Sequence, residues 1–230
     1  KPVERIRDYG MEVTTAMQND VNGIGWSVND YFSSLGIRYL TMGTHAHKAL
    51  LVFDHPMPFW WESPSGNRML AFRGEHYHTG NLRFHISRGD FDYFEKELLA
   101  YLNELGNTGY PFDTMMIQHS GYLTDNSPPS VNPSEMIQKW NEKYEWPKLR
   151  FSVARDFFEE IEENHGDELP VYRAAWPDWW VDGFGSGARE VAAMRQAMSD
   201  IRAGQAAQSM ALVGGYDLGQ HSLQQSALTN

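Results

Sequence analysis

The sequence contains no cysteine. Disulfides, zinc ribbons, thiol nucleophiles and iron–sulfur clusters are thereby excluded, and any metal must sit on Asp, Glu, His or backbone oxygen. No apolar run approaches the roughly 20 residues that a membrane span requires. Positive charge is scarce: 19 Lys and Arg stand against 30 Asp and Glu, a net charge of −11. So acidic a surface repels phosphate backbones and anionic lipid, which argues against nucleic acid and membranes as partners. There is no glycine-rich phosphate loop, no Gly-x-Ser-x-Gly elbow and no His-Glu-x-x-His. Nucleotide-binding, serine esterase and zincin readings lose their usual support.

Aromatic residues, in contrast, are abundant at 13%. Many stand beside Asp, His, Asn and Gly rather than within periodic stretches. That mixture suits carbohydrate, whose apolar ring faces stack on aromatics while its hydroxyls take planar polar groups. A core rich in aromatics has the same composition. At 230 residues the chain can build one sizeable core and is short for two independent domains. Residues 1–10 contain no initiator Met, signal peptide or targeting pattern, so the chain is expected to be a fragment with its beginning missing. Its compartment and oligomeric state are not indicated.

Periodicity alternates between strand and helix. Residues 12–17 and 37–42 read as strands, and between them residues 23–35 carry Ile24, Val28, Tyr31, Phe32 and Leu35 at helical spacing. Gly36 is placed to end that helix. The pattern recurs: strands over 67–73, 114–118, 149–153 and 170–174, helices over 90–105, 134–144 and 156–163. Phe91, Phe94, Leu98, Leu102 and Leu105 share one face of the second helix, with Gly106 as its stop. Repeated β-then-α units predict an α/β fold with parallel strands, a barrel or part of one. A composition shift near 183–187 leads into a long Ala-, Met- and Gln-rich helix over 188–212. The expected division is a catalytic β/α region over 1–186 and the beginning of a helical region over 187–230.

Parallel α/β folds place function at the carboxyl ends of their strands. Asp20 follows the first strand and can serve as nucleophile, base or metal ligand, or can cap the next helix. His45 follows the second strand as half of a His-x-His, weak as a metal signal because alternate residues of an extended chain point apart. Trp60 and Trp61 suit stacking on a sugar, with core packing as the alternative for one of them. Glu75, His76 and Tyr77 belong to the densest polar cluster of the chain and are expected to line a site. Asp125 and Asn126 follow the fourth strand, where turn chemistry before Pro128-Pro129 is the alternative. Trp180 lies in an Asp- and Trp-rich segment after the last strand. Two carboxylates projected into one mouth is what glycoside hydrolysis uses, with retention at about 5 Å separation and inversion at roughly 6.5–9.5 Å.

Six segments, in order, resemble the catalytic domain of glycoside hydrolase family 38, the retaining α-mannosidase family, and most of all its bacterial branch. They are Gln18-Asn19-Asp20, residues 34–39 (SLGIRY), 59–64 (FWWESP), Glu75-His76-Tyr77, 121–126 (GYLTDN), and 169–172 running into 178–183 (DWWVDG). The resemblance covers about 14–194. It implies a seven-stranded β/α barrel, here partial, followed by the start of a helical bundle. It implies a divalent metal, usually zinc, with Asp20 as both nucleophile and metal ligand, Asp125 as general acid/base, and Trp180 lining the sugar subsite. The family's upstream His-x-Asp pair of metal ligands has no counterpart before Asp20. His221, after position 165 the sole His of the chain, is the candidate for the ligand from the helical region. The implied function is a metal-dependent retaining glycosidase acting on α-mannosides or a related glycan. A catalytically silent carbohydrate-binding relative and a polysaccharide deacetylase-like hydrolase are the alternatives. The latter would want a His-x-x-x-His pair, and neither His45 nor His76 has a His four residues on.

Overall fold

The second strand is a short apolar run buried at every position, as a central strand covered on both faces requires. The computed structural model describes residues 2–19, 23–43, 53, 55–122, 126–176 and 185–216. A short helix, α1 (Pro2–Arg7), precedes β1 (Thr15–Asn19). Helix α2 (Val28–Ser34) leads to β2 (Tyr39–Gly43), and β2 pairs with β1 in parallel, as the β-α-β reading expects. The junction after α2 is a Schellman motif: Gly36 N–H bonds Ser33 O at 2.9 Å and Ile37 N–H bonds Phe32 O at 3.0 Å. Gly36 takes φ +71°, a conformation costly for any residue with a Cβ.

Strand β3 (Met57–Glu62) was not expected from the sequence, where Pro58 and the paired tryptophans hide its period. It runs antiparallel to β4 (Arg68–Gly74) through a tight turn in which Ser63 N–H bonds Asn67 O at 2.9 Å. Strand β4 is parallel to β2, and β5 (Val171–Tyr172) is parallel to β3. The order β1-β2-β4-β3-β5 is therefore a mixed sheet. Among the described residues it is not closed into a barrel. The segments 114–118 and 149–153 are not strands in it. Their backbone groups find other partners: Tyr110 Oη–H donates to Thr114 O at 2.9 Å, and the Asn141 amide bonds both N–H and C=O of Leu149, at 2.8 and 2.7 Å.

Helices cover both faces of the sheet. Leu40, Met42, Phe59, Trp61, Met69 and Ala71 pack on one face with Val28 and Phe32 of α2 and with Leu35 at its end. Tyr39, Leu70 and Phe72 pack on the other with Phe157, Phe158 and Ile161 of the twelve-residue helix at Ala154–His165. Tyr39 and Phe158 stack at 5.1 Å, their planes 1° apart. Each fully buried side chain of this size contributes about 1.5–3 kcal/mol by leaving water.

Between these elements lie α3 (Thr79–Leu82), α4 (Phe91–Asn107) and α5 (Asn132–Lys143), with Ala154–His165 as α6. Asp90 caps α4 by accepting from Tyr93 N–H at 3.1 Å. Phe94, Leu98, Tyr101 and Leu105 are its buried face, against Met136 and Trp140 of α5. The helix passes the expected stop at Gly106, and Gly109, at φ +75°, follows its end.

The chain forms two compact units, Lys1–Trp180 and Val181–Asn230. The second contains α7 (Ala188–Val213), one 26-residue helix with no buried residue. Among the described residues no helix is long and apolar enough to cross a membrane.

Candidate active site

Strands β1, β2 and β4 run in parallel and finish level with one another: Asn19 is in register with Gly43, and Gly43 with Gly74. Two of these three end positions carry no side chain, which opens room above the sheet. The room is used. A Cβ on Gly43 would stand 2.6 Å from Asn19 Oδ1, 2.9 Å from Gln118 Oε1 and 3.0 Å from Tyr77 Cβ. Three stretches of chain far apart in sequence thus converge on one glycine.

The residues after β4 turn back over this edge. The rings of His76 and Tyr77 stack at 4.4 Å, and Tyr77 meets His78 at 4.3 Å. Glu75 Oε1 accepts from the Tyr101 hydroxyl at 3.3 Å. Tyr101 is buried in α4, and burial, with the Glu75 charge behind it, pushes its phenol well above the ordinary value. Arg73, the penultimate residue of β4 and only 4% exposed, has its guanidinium pushed down by burial. The Glu75 charge is the leading influence in the other direction. The 117–121 stretch completes the edge. Gly80 N–H donates to Gln118 O at 2.9 Å, Gln118 Nε2 reaches Met17 Sδ at 3.4 Å, and Ser120 Oγ lies 3.2 Å from His78 Nδ1.

Among the residues expected from the sequence, Glu75, His76 and Tyr77 are brought together here. Asn126 is exposed, with φ +53°. Asp20, His45, Asp125, Trp180 and His221 lie outside the described residues. The tryptophan pair belongs elsewhere. Trp60 and Trp61 are in register with Leu70 and Met69, toward the opposite, amino-terminal end of β4. Trp61 is 1% exposed and its indole N–H donates to Ala174 O at 2.8 Å; Trp60 is half-buried and donates to Gly166 O at 2.8 Å. A ring with no open face cannot stack on a sugar, so Trp61 is a core residue and not a binding platform. The sequence reading missed Gly43, Tyr101 and Gln118 as parts of the edge, whereas Arg73 and Asn81 bound the polar cluster, residues 73–81, that it expected to line a site. Arg73 left a signal, a charge directly after the apolar run 69–72.

Among the described residues no three His, Asp or Glu side chains group in a way that could hold a metal ion. Asn19 Oδ1 is buried and has no hydrogen-bond partner among them. It is an oxygen donor suited to a hard cation, but a single donor does not make a site. The described residues alone do not fit a metal.

Comparison with known proteins gives two findings. Residues 6–175 match the model of the glycosyl hydrolases family 38 N-terminal domain. Among solved structures, the crystal structure of an alpha-mannosidase from Enterococcus faecalis V583 is similar, with a TM-score of 0.55 at 12% sequence identity. The similarity covers 76% of this chain and 19% of that one, and at this identity it speaks to the fold alone. No curated protein matches the sequence.

Proposed function

Since the chain belongs to the glycosyl hydrolases of family 38 through their N-terminal domain, we propose that it forms part of the catalytic region of a retaining glycosidase acting on α-mannosides or a related glycan. The observation that carries this reading is the level carboxyl edge of Asn19, Gly43 and Gly74, with Glu75, His76, Tyr77 and Gln118 folded over it. Asp20 follows Asn19 directly in the sequence, and Asp125 lies between the described Tyr122 and Asn126. In this reading the open sheet is a portion of the family's seven-stranded β/α barrel, and α7 begins its helical bundle.

The chemistry runs in two displacements. The Asp20 carboxylate attacks the anomeric carbon while Asp125 gives its proton to the departing glycosidic oxygen. The bond to that oxygen breaks with its electron pair, and a glycosyl ester of Asp20 forms. Asp125, now ionised, takes a proton from water, and the water attacks the same carbon to release the sugar and free Asp20. Glu75, His76 and Tyr77, with His45, Asn126 and Trp180, bind the sugar hydroxyls and ring. A divalent metal, zinc by family likeness, belongs to the proposal for the whole protein, with Asp20 and His221 as this chain's contribution.

The test is hydrolysis of an aryl α-mannoside by the full-length protein and its Asp20→Asn variant. Turnover in the first and its loss in the second, with unchanged thermal unfolding, supports the reading. Equal turnover in both removes Asp20 from the mechanism. Sugar binding with no turnover in either establishes the silent carbohydrate-binding relative instead.

A further inference from the structure

Gly43 ends β2, and two amides from distant parts of the chain enter the space its missing side chain leaves. Asn19 Oδ1 and Gln118 Oε1 would stand 2.6 and 2.9 Å from a Cβ built there. Asn19 comes from the end of β1, in register with Gly43. Gln118 comes from the stretch laid against α3. Both residues are half-buried, so each keeps part of its surface open.

Neither amide is spent on the fold. Asn19 Oδ1 is buried and has no hydrogen-bond partner among the described residues. Gln118 Nε2 donates to Met17 Sδ at 3.4 Å, and a thioether is a weak acceptor. A buried acceptor left without a donor carries a desolvation cost that a partner would offset. The backbones under these amides are nonetheless held. Gly80 N–H donates to Gln118 O at 2.9 Å, and a Cβ on Gly80 would stand 2.6 Å from His119 Cβ. Asn81, 4% exposed, accepts through Oδ1 from Ser120 N–H at 2.8 Å, and its Nδ2 donates to Gly121 O at 3.2 Å. Ser87, 1% exposed, donates its hydroxyl to the same carbonyl at 3.0 Å. Weakly engaged polar groups on fixed supports are prepared for a ligand, because little order remains to be imposed when it binds.

The donor set selects the ligand. An amide offers an acceptor oxygen and two N–H donors and carries no charge. A hydroxyl gives one hydrogen bond and takes others, so it can donate to Asn19 Oδ1 and accept from an amide nitrogen. We propose that Asn19 and Gln118 together hold one hydroxyl of the sugar above Gly43, an inference that rests on the glycosidase reading given above. The two residues select the sugar by that hydroxyl and take no part in breaking the glycosidic bond.

The experiment measures kcat/KM for 4-nitrophenyl α-mannoside and its 2-, 3-, 4- and 6-deoxy analogues. It uses the full-length protein and its Asn19→Leu and Gln118→Met variants, which keep nearly the same volume and delete the amide. The wild type is expected to lose about 10- to 100-fold on the analogue that lacks the held hydroxyl, because both amides are then left without their partner. Each variant is expected to be slower by a similar factor on the parent glycoside, and to lose less than about threefold more on that one analogue. On the other analogues the variants should show the losses the wild type shows. Coupling of both residues to the same hydroxyl is a signature that a merely structural role does not produce. Gln118→Met carries the test should Asn19→Leu not fold. Equal losses on every substrate, no loss, or coupling of the two residues to different hydroxyls overturns the inference and leaves the glycosidase reading intact. A wild type that hydrolyses none of these glycosides removes that reading and this inference with it.

Discussion

The two ends of the parallel strands are built on opposite principles. At the amino-terminal end, side chains lock the sheet to its surroundings. Glu62 pairs with Arg68 at 2.7 Å and with Arg173, joining β3, β4 and the residue after β5. Indole N–H groups cap carbonyls: Trp26 on Glu62 and Trp61 on Ala174, both at 2.8 Å, while Asn29 Nδ2 bonds Trp61 O at 2.6 Å. Arg38 and Tyr39 both bond Glu162, tying β2 to α6. At the carboxyl end the sheet stops at glycines, and polar groups gather above it. Asn19 Oδ1 and Arg73 Nε are buried there with no hydrogen-bond partner among the described residues, and Thr41 Oγ1 is another such atom in the middle of β2. Thr15 Oγ1 is the one such atom at the start of a strand. One end spends its side chains on cohesion; the other keeps polar atoms buried and available, a cost that folding alone does not explain. Under the proposed function, stability and chemistry are thereby separated along each strand.

That separation is breakable by mutation. The largest effect on stability belongs to the amino-terminal end: Trp61→Ala should cost about 3–5 kcal/mol, because it empties a fully buried site and orphans the Ala174 carbonyl. Chemical denaturation checks this, and a loss below about 1 kcal/mol would show that the ring is not core. Gly43→Ala should do the reverse. Its new methyl meets the ends of Asn19 and Gln118, which are side chains able to move, and the β carbon of Tyr77. Unfolding should shift little, while activity of the full-length protein should fall by as much as about 10²-fold through displacement of the groups above the strands. Steady-state kinetics beside a melting curve separates the two, and a variant that melts early with normal turnover would contradict the division.

The smallest effect is a pH dependence at Glu62. The Arg68 hydrogen bond, aided by the Arg173 charge, holds the Glu62 carboxyl below its ordinary value of 4.5. A carboxyl lowered in the folded state stabilises at pH above its unfolded value and loses that contribution as pH falls through its folded value. Melting of the wild type should therefore fall more steeply below pH 4.5 than melting of Glu62→Gln. Parallel curves would assign the acid sensitivity to other carboxylates.

These contrasts also explain what was readable beforehand. The β1-α2-β2 unit and the helices at 91–107, 132–143 and 154–165 were legible because each carries its own period and its own stops. Strand β3 was not, since a proline and two adjacent tryptophans mask a period of two. Residues 114–118 and 149–153 read as strands from their apolar runs, yet side chains of Tyr110 and Asn141 take their backbone bonds. The Glu75-His76-Tyr77 cluster announced itself by density. Gly43 gave no signal, because its role depends on Asn19, Tyr77 and Gln118, which only folding brings beside it.

The central claim places the reaction at the carboxyl end of β1. It is tested most directly by incubating the full-length protein with a fluorinated α-mannosyl fluoride, which forms the glycosyl ester and hydrolyses it slowly, and mapping the label by mass spectrometry. The account predicts one fluorosugar per chain, on the peptide containing Asp20, and none in Asp20→Asn. A label on any other carboxylate, or turnover of α-mannosides with no label formed, would contradict it.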